Sequence, residues 1–143
     1  MKRILPVLIV VAAVFLYQEF RGPLDRGVTE TSPPVQGTAE AGAEYRDGQQ
    51  VRGSGTVVRI LSDDNDGSRH QRFILRLGSG RTLLVAHNID LAPRVSGIRE
   101  GDTVEFYGEF AYNAKGGVIH WTHHDPQERH PDGWLRHRGR KYQ

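Results

Sequence analysis

The chain has 143 residues, 19 Lys and Arg against 17 Asp and Glu, and no cysteine. That length suits one domain rather than two hydrophobic cores, and a net charge of +2 does not by itself call for a polyanionic partner. The missing thiols exclude disulfides, thiolate metal sites, a Cys nucleophile and a lipidated N-terminal Cys. They leave the redox compartment open, because an exported domain with an adequate core folds without bridges.

Lys2 and Arg3 precede an unbroken apolar run from Ile4 to Tyr17. A positive end followed by such a run has the form of an export signal, and it is short for a membrane span. No small-x-small cleavage site follows at Tyr17-Gln18-Glu19-Phe20, and Ala39-Glu40-Ala41 and Ala41-Gly42-Ala43 lie too far downstream. Residues 1–20 are therefore read as an uncleaved anchor in the bacterial inner membrane, with Tyr17 and Phe20 at the interface. A cleaved signal is the second reading, which would leave a soluble periplasmic protein. Both place the domain outside the cytoplasm. Residues 21–48, with Pro33-Pro34, several Gly and few large apolar groups, are read as a disordered tether.

The domain of residues 49–143 carries strand patterns. Val51 to Leu61 is rich in Val and Ile and holds Gly53 and Gly55, which in a strand mark a bulge or a tight bend. Asp63 to Ser68 is a hairpin turn by composition. Its Asp64-x-Asp66-Gly67 resembles part of a calcium loop, but the EF-hand register places Phe73 where a Glu is required. Gln71 to Leu77 alternates, Phe73, Leu75 and Leu77 facing one way and Arg72, Ile74 and Arg76 the other. Thr82 to His87 forms a third strand after Gly78-Ser79-Gly80. Asn88 to Gly101 breaks the pattern, and Thr103 to Phe110 alternates again, with Val104, Phe106 and Phe110 inside and Glu105, Tyr107 and Glu109 outside. After Asn113 to Gly117 a fifth strand is expected over Val118 to His123.

Five short strands, the first curved and a long connection between the third and fourth, predict an all-β fold: a five-stranded OB-like Greek-key barrel. An SH3-like barrel or an open sandwich is the alternative. The segments Gly55-Thr56-Val57-Val58, Ser68 to Leu75, Leu84 to Arg94, Gly117 to Pro126 and Asp132-Gly133-Trp134 resemble an uncharacterised bacterial domain family of unknown function. The likeness spans roughly residues 50–143. It implies an exported OB-like protein and brings no assigned activity or catalytic residue.

Two sets of residues carry candidate chemistry. His120, His123, His124 and His130, with Asp125 among them, have the composition of a Zn or Cu site. Within a strand, however, His120 and His123 would face opposite ways, and the bland reading has these imidazoles bonded to Asp125 and backbone carbonyls. The second set lines the surface through which an OB barrel commonly binds: Arg72 and Arg76, with Tyr112 and Lys115 from the later loop and His87 at a strand end. Aromatic rings are scarce on those strands, so nucleic acid is not the favoured ligand there. No His-Glu-x-x-His or Gly-x-Ser-x-Gly pattern marks a protease or hydrolase. The basic run Arg136 to Lys141 is read as a solubilising tail, and Trp134 as an apolar plug over the barrel mouth, with His123, His124 and His130 around a polar pocket.

The expectation is a membrane-tethered envelope protein whose OB-like module binds an oligosaccharide, anion, nucleic acid or protein without catalysis. The alternative is a histidine-metal protein, a metal-dependent hydrolase or nuclease.

Overall fold

A computed structural model describes residues 45–143. The apolar run and most of the expected tether lie outside the described residues. Among the described residues no helix is long and apolar enough to cross a membrane.

Among the described residues seven strands form: β1 (Gln50–Ile60), β2 (His70–Leu77), β3 (Thr82–Asn88), β4 (Thr103–Ala111), β5 (Val118–His120), β6 (Trp134–His137) and β7 (Arg140–Tyr142). The first five close into a barrel in the order β1-β2-β3-β5-β4, with β4 returning to β1. All these pairings are antiparallel except β3 with β5, which run parallel. This is the expected OB-like Greek-key arrangement.

Closure depends on β1. Its residues 50–56 pair with β4 and its residues 55–60 with β2, so the strand passes from one neighbour to the other at Gly55 and Thr56. A side chain at Gly55 would sit 2.9 Å from the Arg76 carbonyl oxygen, which explains why the corner carries glycine. A register shift between Val57 and Arg59 then bends the strand further, as a bulge does.

The alternation read from the sequence places the core correctly. Phe73, Leu75, Val104 and Phe106 are fully buried, joined by Val57, Leu83, Val85, Phe110 and Ile119. Tyr45, within the stretch assigned to the tether, packs edge-on against Phe110 with ring centroids 5.5 Å apart.

Three expectations are corrected. The fifth strand ends at His120 rather than His123, because Trp121 turns the chain at φ 55°, a left-handed value costly for a bulky residue. The basic C-terminal run is a hairpin, β6 and β7, paired to β4, and it sends Leu135 and Tyr142 into the core. Finally, Trp134 does not plug the barrel: Leu135 beside it faces inward, so Trp134 faces outward on the sheet.

Candidate functional site

The β2–β3 face differs from the sequence reading. Arg72 is only 3% exposed, and its Nε donates to the Ser62 carbonyl at 3.0 Å. Ile74 beside it is buried with Leu84, Ala86 and Val118 in a second, smaller apolar cluster on the outer side of the strands. Arg76 is exposed and Tyr112 is 69% exposed, while Lys115 is half-buried in the following turn. His87 is fully buried. Its Nε2 donates to the Pro93 carbonyl at 2.9 Å, which leaves Nδ1 to accept from the Thr122 hydroxyl at 2.7 Å. Next to it, Gln71 both donates to and accepts from the backbone of Val95. These two residues fasten the connection after β3 across one end of the barrel. Burial drives the His87 imidazole from its ordinary 6.5 down to about 4. The ring is a neutral structural pin.

The histidines of residues 120–130 divide by partner. Asp125 accepts the amides of Gln127, Arg129 and His130 at 2.9–3.0 Å, which holds its carboxyl below the usual range. Asp132 accepts His124 Nδ1 at 2.8 Å and the Asp125 amide at 3.1 Å. His123 Nδ1 donates to the His124 carbonyl at 2.6 Å, and burial lowers its pKa. His130 has left this group and reaches back to β4. Among the described residues no three His, Cys, Asp or Glu side chains are placed to hold a metal ion. The stitched loop instead fixes Trp121, whose ring stacks on His130 at 4.1 Å and 11°.

What the chain does bring together lies on the outer face of β1, β4, β6 and β7. Arg52 pairs with Tyr107, and Tyr107 with Trp134, so these three sit side by side across the strands. Two residues along, Ser54, Glu105, Arg136 and Lys141 make a second row. Three cations gather at the half-buried indole of Trp134: Arg136 at 5.2 Å from the ring centroid, Arg52 at 5.3 Å and Lys141 at 5.6 Å. The Tyr107 ring lies 6.1 Å from that of Trp134. Arg136 also meets Glu105 at 3.4 Å.

On the other side of the first row stands a third, Gln50, Glu109 and His120. One carboxylate oxygen of Glu109 accepts from His130 Nε2, and the other lies 3.4 Å from His120 Nε2. His130 Nδ1 donates to the Pro131 carbonyl at 2.8 Å. Both amide atoms of Gln50, and His120 Nε2, are buried without a hydrogen-bond partner. Burial pushes the His120 pKa down; Glu109 opposes that shift and His130 adds to it.

A family model described as a protein of unknown function, DUF3465, matches residues 37–143. The chain belongs to that family. No curated protein and no solved structure matches it. The DUF3465 match covers the barrel, the 121–133 loop and the β6–β7 hairpin together, so the Trp134 face lies wholly within the family domain.

Sequence reasoning missed Arg52, Tyr107 and Glu109 as site residues and misplaced Trp134. A signal is present in part: the alternation of Thr103 to Phe110 places Tyr107 and Glu109 on the outward face. That they stand beside Trp134 and His130 depends on how β6 and the 121–133 loop pair with β4.

Proposed function

We propose that this domain is a non-catalytic binding module for a polyanion and that its ligand docks on the Trp134 face. One observation carries the reading: Arg52, Arg136 and Lys141 converge on a single indole. Each cation gains about 0.5–1 kcal/mol from the ring face at a solvent-exposed site, but the ring neutralises none of them. Glu105 offsets one charge through Arg136. The remaining like charges repel one another, and an anionic group seated among them relieves that repulsion. Phosphate, sulfate and carboxylate groups share this chemistry, and guanidinium forks suit all three.

Titration of the purified full-length chain, followed by tryptophan fluorescence, tests the reading. Single-stranded DNA and a sulfated oligosaccharide should both bind at low salt, while a neutral dextran should not. Arg52→Ala and Lys141→Ala should each weaken binding and flatten its salt dependence, as loss of a phosphate contact does. Failure of every polyanion to bind at low salt would remove the proposal.

The location belongs to the same proposal. The Lys2-Arg3 start and the apolar run to Tyr17 support an inner-membrane anchor with the domain in the periplasm. A reporter fused after Gln143 should be active only on the periplasmic side, and activity in the cytoplasm would refute the placement.

A further inference from the structure

We infer that the polyanion is a single-stranded nucleic acid and that Gln50 reads the edge of one of its bases. The inference rests on the polyanion reading and adds the row next to it. Gln50 stands two residues along β1 from Arg52, on the same face, and Glu109 stands two residues along β4 from Tyr107. Two residues of strand span about 6.6–6.8 Å, so an edge reader lies one short step from the cations and rings.

The Gln50 amide is the distinguishing group. Its oxygen and its nitrogen are both buried and unpartnered, although buried polar groups are nearly always satisfied. No hydrogen bond satisfies this amide at rest, so a ligand that offers a donor and an acceptor side by side would meet a need the fold leaves open. The edge of a nucleobase offers that pair, and a glutamine amide reads adenine through two such bonds. The flanking rings supply the other half of the recognition, because every base has a face that stacks on an aromatic side chain whatever its sequence. A sulfated sugar would use the cations but presents neither a flat ring nor a paired edge.

The third row also manages charge. The Glu109 carboxylate would repel a phosphate, but the His130 N–H points at one of its oxygens. Both His130 nitrogens face oxygen atoms, one of Glu109 and the Pro131 carbonyl. The Trp121 ring stacked on His130 holds that imidazole in place. One oxygen of the acid is thereby turned to His130 beside the proposed base site, and the other lies 3.4 Å from His120 Nε2.

The test uses the full-length chain with labelled single-stranded oligonucleotides, each of one base, against a sulfated oligosaccharide of equal charge. The chain should prefer nucleic acid over the sugar and one base over the others. Gln50→Ala should cut the preference between bases by roughly 5- to 150-fold, the span of one bidentate contact, with little change in salt dependence. Gln50→Glu keeps the size, exchanges donor for acceptor and should alter which base is preferred; circular dichroism of both variants confirms the fold. Arg52→Ala should instead weaken all oligonucleotides alike. Equal affinity for nucleic acid and sugar, or a base preference that both Gln50 variants leave intact, overturns the inference and spares the polyanion reading. Absence of binding to either ligand overturns both.

Discussion

Acidification should weaken the domain through His87, and the size of the effect follows from where that ring sits. The imidazole is fully buried, with Nε2 on the Pro93 carbonyl and Nδ1 on the Thr122 hydroxyl. Burial first, then the neighbouring His123, lowers its pKa from 6.5 to about 4, against the Pro93 bond that favours the charged ring. The unfolded chain therefore binds a proton between those values that the folded chain refuses. Stability is complete above about pH 6.5 and declines as pH falls toward 4. The loss amounts to about 2 kcal/mol at pH 5 and roughly 3 kcal/mol once both states are protonated, at about 1.4 kcal/mol per pH unit of separation. Urea unfolding of the wild type and of His87→Gln at pH 7 and pH 5 measures it. The variant retains an amide donor for Pro93 but cannot titrate. His120 and His123 are shifted the same way, so the difference between the two proteins isolates His87. Parallel losses in wild type and variant would refute the assignment of His87 as a neutral pin.

Three further predictions concern packing and the loop. Phe106→Ala removes a fully buried ring from the centre of the barrel and should cost about 3–5 kcal/mol by chemical denaturation; a loss below about 1 kcal/mol would contradict the register of β4. Gly133→Ala should destabilise by about 1–3 kcal/mol or more, since the added methyl would overlap the carbonyls of Trp121 and Tyr107; an unchanged melting temperature would contradict that close approach. Asp125→Ala removes the acceptor of three amides and should cost about 1–2 kcal/mol, with faster hydrogen exchange at Gln127, Arg129 and His130. Because those amides hold the Asp125 carboxyl below its ordinary range, its contribution should persist above that range and fade as acid titrates the folded state, which NMR of the loop amides would follow.

The amino-acid sequence by itself determined the barrel strands and most of the core. Side chains alternate across a strand with a period of two, so Phe73 and Leu75, or Val104 and Phe106, declare their face from local order alone. Glycines at residues 53 and 55 likewise announced the curved first strand. The hydrogen bonding of His124 and Asp125 within the histidine-rich loop was legible in part, because Asp125 and Asp132 serve amides and a ring no more than eight residues away.

Tertiary structure alone decided the rest, and the reason is distance along the chain. Arg72 reads as a solvated strand residue until the Ser62 carbonyl meets its guanidinium. Strands β6 and β7 have four and three residues, too few for periodicity to show. They form because short β5 covers only residues 109–111 of β4, leaving residues 104–107 an open edge that the C-terminal run fills. That pairing turns an apparent solubilising tail into core and carries Trp134 to Tyr107, within reach of Arg52. His130 parts from its sequence neighbours for the same reason: its partner, Glu109, lies 21 residues away on β4. Local pattern chose which residues face in or out, and only long-range strand pairing chose which of the outward ones meet.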